Sequence, residues 1–420
     1  MKLERVKQLL VLVLGLVCLG FGVGFAQTLR ILHPTIWVPE ASQILNEAIA
    51  AFEAKHPGVK VIRTEVSWGD LRSQLMIALA TGTAPDIVIY PTPWIPELLR
   101  MHAIADISSN LPAGLLDMFL PSALTILKQN DKVWGLPWEG STWGFFYRKD
   151  LFAEAGLDPE RPPRTWDELV EYAQRLTKDG HYGLGFPAAG WEGDDYFLPF
   201  LWQAGGDVAL CDAQGCKAAL NTEAARTAVK FYYDLVHTYK VVPPAITGWD
   251  WESTVKAFIA GDIAMMYNGL WAAGTINSIA PELKGKWSGA FNPAGPAGCV
   301  HLGYPNAIFV TAQSRYPALA AEFVISLHEG SPSYMDRITL ALNSLNWTYN
   351  FVQNAYLDNP SLRPLVEAME VSKCRPAFPE YETFRQTTLN PDLQALILGQ
   401  LTVDEALNKW QTLLTRLLGQ

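Results

Sequence analysis

Short apolar runs alternate along this chain with stretches whose apolar residues recur three and four positions apart. Leu29 to Leu32 is a run suited to a buried strand, and from Ile44 onward Leu45, Ala48, Ile49 and Phe52 share one helical face. Val59 to Ile62 follows the breaker pair Pro57-Gly58 as a second strand. Asp70 is placed to cap a helix with Leu71, Leu75, Ala78 and Leu79 inside, and Ile87 to Tyr90 predicts a third strand. Strands separated by amphipathic helices imply βαβ units and a mostly parallel sheet.

A second region of the same kind begins near residue 140. Thr165-Trp-Asp-Glu168 is a capping-box pattern ahead of Leu169, Ala173 and Leu176, and Gly183 to Phe186 predicts a strand. Val229, Tyr232 and Val236 line a later helix. Val255, Phe258 and Ile259 line another that closes at Gly261 before a strand from Ile263 to Met266. The last helix opens with the capping box Thr402-Val-Asp-Glu405 and buries Leu407, Trp410, Leu414 and Leu417. The fold class is α/β with two lobes.

The beginning of the chain changes the picture. Lys2, Arg5 and Lys7 precede an apolar run from Leu9 to Phe25, and Gly24-Phe25-Ala26 has the small-x-small pattern of a cleavage site. That order predicts a secretory signal peptide over residues 1–26. Cys18 lacks the small preceding residue that lipid attachment needs, since Val17 stands there. The formal charge is -10, and removing Lys2, Glu4, Arg5 and Lys7 (net +2) leaves -12. An acidic chain without basic clusters argues against nucleic acid as a partner. Four cysteines remain after residue 26. Cys211 and Cys216 flank a turn-rich segment and predict one disulfide, which leaves Cys299 with Cys374 for a second.

Enzyme signatures are missing: no G-x-S-x-G, no H-E-x-x-H and no phosphate-cradling glycine loop. The seven His lack ligand spacing, so no metal and no cofactor are expected. Aromatic rings are what the chain has in excess, with fifteen Trp, several of them at predicted strand exits. Tyr90 and Trp94 follow the third strand. Trp138, Glu139, Ser141, Thr142 and Trp143 form a second group, and Trp191, Glu192, Asp194, Asp195 and Tyr196 a third. Trp249-Asp-Trp251 and Asn268-Gly-Leu-Trp271 add two more. Flat rings can lie on the C–H face of a sugar while carboxylates accept from its hydroxyls. In open α/β sheets such a site lies beyond the carboxyl ends of strands. Each Trp taken singly is more often core, and Trp166 and Trp410, inside helix patterns, are assigned to packing.

Several ordered segments carry a family resemblance: Ala80-Thr-Gly-Thr-Ala-Pro-Asp-Ile-Val88, Phe146-Tyr-Arg-Lys-Asp-Leu-Phe152, Pro163-Arg-Thr-Trp-Asp-Glu-Leu169 and Phe258-Ile-Ala-Gly-Asp-Ile-Ala-Met-Met266 with Asn268-Gly269. On these the chain resembles the family 1 extracellular solute-binding proteins, the sugar-binding components of ABC importers. The resemblance implies a two-lobe periplasmic-binding-protein fold, each lobe a sheet flanked by helices, joined by a multi-strand hinge that closes on ligand. It implies a first lobe from 27–139 and 302–330 and a second from 140–301 and 331–420. It puts ligand contacts at Tyr90, Ser141 (with Glu139 or Thr142), Asp194, Asp195, Tyr196 and Trp271, with Gly303, Tyr304 and Arg375 as further candidates. The implied protein is an exported monomer that performs no chemistry. It binds a mono- or oligosaccharide and docks on the membrane permease of an ABC transporter.

Three other readings stay open. The segment from Ala155 to Glu168 also resembles the glycerol-3-phosphate-binding branch of the family, which implies a phosphate or glycerophosphodiester ligand. An aromatic-acidic cleft also accepts a choline-like cation. A secreted glycoside hydrolase with paired carboxylates is the rival outside the binding class.

Overall fold

The computed structural model describes residues 27–129, 131–212, 215–342, 344–348 and 359–419, and the expected signal peptide lies outside them. The first lobe opens with β1 (Gln27–Pro34), α1 (Pro39–Lys55), β2 (Val59–Val66), α2 (Trp68–Ala80) and β3 (Ile87–Pro91). Both β2 and β3 pair with β1 in parallel, as right-handed βαβ units require. Helix α2 is capped by Ser67, whose hydroxyl accepts the Asp70 N–H, so the cap lies three residues before the predicted one. Ser67 fits the extended Ncap geometry while Asp70 supplies first-turn negative charge.

A long strand, β4 (Leu136–Arg148), buried throughout, then leads into the second lobe. There α3 (Trp166–Leu176), β5 (Tyr182–Gly185), α4 (Gly193–Gln203), α5 (Glu223–His237), α6 (Trp251–Ala260), β6 (Ile263–Gly269), α7 (Trp271–Ile279) and β7 (Trp287–Ala290) follow. Thr165 caps α3 through the Glu168 N–H, and Gly261, at φ 83°, ends α6 in the left-handed region that glycine adopts without strain. β8 (His301–Val310) returns to the first lobe and α8 (Pro317–Ser326) packs there. The C-terminal helix α9 is reached after one further first-lobe helix, Tyr334–Leu342; α9 spans Val403–Leu417 and has the full Thr402/Glu405 capping box.

Among the described residues, nine strands join in one sheet. Its order along the main path is β2-β1-β3-β8-β4-β6-β5, with β7 on β4 and a short strand Ser372–Lys373 on β8. β4 and β8 run antiparallel and each belongs to both lobes. β4 pairs with β8 over Leu136–Trp143 and with β6 over Trp143–Tyr147, while β8 pairs with β3 over Asn306–Val310. These two strands are the hinge, and a register shift opposes Trp138 and Glu139 of β4 to the single residue Asn306 of β8, a bulge in β4.

Apolar packing divides along the same line. Leu29, Ile31, Ile44, Leu45, Ile87 and Phe323 belong to one core. Phe145, Leu169, Phe197, Tyr232, Met265 and Trp410 belong to another. Met335, Ile338 and Leu342 join the first core, so 334–342 packs with the first lobe and not with the second, where it was expected. Its three apolar residues recur at helical spacing and face α1. Cys211 and Cys216 are bonded across a hairpin, Ala209–Asp212 against Gly215–Ala218, as expected. Cys299 and Cys374 are both free thiols, which corrects the second expected disulfide. Cys299 instead donates to the Asn292 carbonyl, and Cys374 is exposed at the edge of the Cys211–Cys216 hairpin. No helix among the described residues is long and apolar enough to cross a membrane.

Candidate functional site

Side chains alternate faces along a strand, so every second residue of β4 points the same way. Glu139, Ser141 and Trp143 face a cleft between the lobes. Trp138 and Thr142 point elsewhere: Trp138 sits in the first core, and the Thr142 hydroxyl donates to the Leu365 carbonyl. Strand exits supply the remaining walls, as open α/β sheets dictate. β1 delivers Thr35 and Trp37, β2 delivers Ser67 and Trp68, and β6 delivers Trp271. Glu192, Trp251 and Glu252 close the second-lobe side, and Asn306 and Ser344 complete the floor. The cleft measures about 230 Å³.

Local sequence explains how the rings are held. Asn268 donates from Nδ2 to the Trp251 carbonyl and accepts the Gly269 N–H at 2.8 Å, so one amide ties Trp251 to the start of α7. A Cβ on Gly269 would lie 2.1 Å from the Trp271 ring, so only glycine lets that indole fold back over the strand end. Trp143 meets Trp271 edge-on at 5.0 Å, Trp271 meets Trp251 at 6.3 Å, and Trp251 reaches Trp37 of the other lobe at 6.3 Å. The bulge in β4 sets Trp138 and Glu139 opposite Asn306, whose Nδ2 donates to the Glu139 carboxylate. Ser344 also bonds Glu139 and is held in place because Leu345 exchanges both backbone hydrogen bonds with Gly140.

Burial raises the Glu139 carboxyl above its usual range, against the hydrogen bonds from Asn306 and Ser344. Glu192 is pushed up to about 8, first by burial and then by the like charges of Asp195 and Asp250. The Trp251 N–H and Arg375 oppose the shift without cancelling it.

Several expected contact residues lie outside this cleft. Tyr90 is fully buried beneath Phe309 and Trp94, and Trp94 donates its Nε1 to Glu382 at 2.6 Å. Asp194 and Asp195 are buried in an ion network behind the cleft wall. Asp194 takes Arg385 at 2.8 Å and the Tyr381 hydroxyl at 2.8 Å, and Asp195 takes Arg375 in a bidentate pair. Arg375 is therefore a structural counter-ion. Tyr196 is core, and half-buried Trp249 packs within the second lobe, outside the cleft. Gly303 lies between crossing strands, where a Cβ would approach the Ser141 carbonyl at 3.2 Å. The side chains of Trp191 and Tyr304 lie outside the described part of the structure. Glu139, Ser141 and Trp271 are the expected residues that do line the cleft.

Trp143, Glu192 and Trp251 belong to the aromatic and acidic groups noted in the sequence, although the resemblance puts no contact at them; Trp37, Trp68 and Asn306 stand outside those groups. Trp37 and Trp68 follow β1 and β2 closely, so the strand-exit rule that selected Tyr90 also reaches them. Trp143 was legible from strand alternation with Glu139 and Ser141. Nothing in the sequence marks the bulge in β4 opposite Asn306.

Two lobes, two crossing strands and an aromatic cleft between them define a protein of the two-lobe periplasmic-binding type. The chain belongs to the bacterial extracellular solute-binding protein family, whose model matches residues 38–327. Its fold matches maltose-bound MalE3 of T. maritima with a TM-score of 0.82 at 24% identity, covering 94% of this chain and 100% of that one. It also matches an ABC transporter solute-binding protein of Thermotoga lettingae bound with alpha-D-tagatose (TM-score 0.80, 23% identity, 94% and 100% covered). A lactose-binding protein of Rhizobium radiobacter is 25% identical over 272 residues, 60% of each chain.

Proposed function

We propose that this chain is the extracytoplasmic binding component of an ABC importer and that its cleft holds a mono- or oligosaccharide. The observation that carries the reading is the cleft itself. Five indoles (Trp37, Trp68, Trp143, Trp251 and Trp271) surround Glu139, Ser141, Glu192 and Asn306, which offer oxygen and amide partners to hydroxyls. The sugars named with its relatives and structural neighbours, lactose, maltose and tagatose, support the same class of guest. Among the described residues no Lys, Arg or His lines the cleft, which opposes the glycerol phosphate reading, since nothing there offers the anion a counter-charge.

In this reading the lobes, with 334–342 in the first, bend about β4 and β8. The closed form, stabilised by ligand, docks on a permease, and the guest leaves unaltered. Adding a panel of mono- and disaccharides to the purified protein tests it. A binding sugar changes the cleft Trp fluorescence and raises the melting temperature, and the sugar recovered afterwards has an unchanged mass. Silence across the panel, or a cleaved sugar, overturns it.

A further inference from the structure

Counter-charge is what the cleft lacks. Glu139, Glu192 and Glu252 stand on its walls without a Lys, Arg or His among the described lining residues. The two arginines behind the wall are committed, Arg375 to Asp195 and Arg385 to Asp194 and Glu382. Glu192, only 6% exposed, accepts the Trp251 N–H at 3.1 Å, and among the described residues no ion pair joins it to a cation. The charged groups facing it are Asp195 and Asp250, of like sign, and Arg375, which is already bonded to Asp195. Glu252 has Lys256 on its outer side at 3.7 Å, where both are more than half exposed.

A second observation at the other end of the cleft points the same way. Asn306 is 7% exposed, its Nδ2 is given to Glu139, and its Oδ1 meets no donor among the described residues. A buried acceptor left bare destabilises the empty cleft, so a donor on the guest gains by meeting it. Both ends of the cleft thus ask for N–H or O–H donors, and one end asks for positive charge. The indole faces between them attract a cation as readily as they stack on sugar carbons.

We propose that the guest is a saccharide carrying a protonated amine, with the ammonium against Glu192 among the indoles and other donors turned to Asn306 and Glu139. The proposal rests on the carbohydrate reading and narrows it. A charge-assisted bond from ammonium to carboxylate is roughly twice as strong as a neutral one. Because Glu192 sits near 8 in the empty cleft, an ammonium arriving at neutral pH draws off its proton.

Three β-1,4-linked disaccharides test this: cellobiose, the glucosamine disaccharide, and the same disaccharide with both amines acetylated. Each is titrated calorimetrically into the wild-type protein at pH 7, in two buffers of different ionisation enthalpy. The free amine is expected to bind at least about tenfold more tightly than either neutral sugar, with buffer-dependent heat that reports proton release. In Glu192→Gln, checked for an intact melting transition, the ratio of amine to neutral affinity falls toward one. The wild-type comparison stands alone if that variant does not fold. Neutral sugars binding as tightly as the amine overturn the proposal and leave the carbohydrate reading intact. Binding of none of the three, nor of any other neutral or amino sugar, overturns both.

Discussion

Two clusters of the same chemistry lie on either side of one wall of the second lobe. The inner one holds Tyr381, Asp194, Asp195 and Glu382, is reached by Trp94 from the first lobe and is closed by Arg375 and Arg385. The outer one holds Trp251, Trp271, Glu192 and Glu252 and faces the cleft with no arginine. Glu192 and Asp194 are two residues apart in the chain. What separates a structural carboxylate from an available one is therefore the counter-ion. Two guanidiniums hold the inner acids, whereas among the described residues Glu192 has no bonded cation and Glu252 has only the exposed Lys256 at 3.7 Å.

The largest effect that can break this comparison is on the inner side. Replacing Arg385 by Met takes from Glu382 its guanidinium and from Asp194 the closer of its two, in a buried site. Arg385→Met is expected to lower unfolding free energy by about 3–5 kcal/mol, measured by urea denaturation. A loss under about 1 kcal/mol would mean that water reaches those acids and the inner cluster is not closed.

Two tryptophans sharpen the contrast further. Trp94→Phe keeps the ring packing but deletes the Nε1–Glu382 bond, with an expected stability loss of about 1.5–3 kcal/mol and sugar affinity unchanged. Trp271→Ala is expected to weaken sugar binding by about 1–3 kcal/mol, read by calorimetry, in a protein that still folds. If Trp94 changed affinity while Trp271 did not, the two clusters would have been assigned the wrong way round.

The sequence placed the elements well, because strand runs and helical faces are local patterns, and Thr165, Gly261 and Thr402 mark helix ends by local chemistry. The site was harder to read. Tyr90 was chosen for standing at a strand exit, but β3 is flanked by β1 and β8, and Trp94 and Phe309 cover its ring. Asp194 and Asp195 looked like ligand acceptors because their partners are remote: Arg375 lies 180 residues from Asp195, and Arg385 191 from Asp194. No local pattern announces such a pairing. Trp138 and Thr142 are a different matter, since strand alternation with Glu139 and Ser141 already put them on the opposite face.

The smallest expected effect separates the clusters by the sign of their titration. Burial works against Asp194, yet Arg385 and Arg375 outweigh it and hold that carboxyl below its usual range. Its stabilisation is present at neutral pH and is lost as pH falls through the lowered value. Glu192 behaves oppositely, because burial, Asp195 and Asp250 push it from 4.5 up to about 8. The folded protein keeps a proton there that the unfolded chain has released, so this contribution is complete below 4.5 and drains away as pH rises through about 8. One proton of difference corresponds to at most about 1.4 kcal/mol per pH unit. Urea unfolding of the ligand-free protein at pH 6, 7 and 8 should show wild type losing stability across the series. Glu192→Gln, which has no proton to lose, should lose about 1 kcal/mol less per unit. Equal slopes would mean that Glu192 is solvated in the empty cleft, and the line between satisfied and unsatisfied carboxylates would have to be drawn elsewhere.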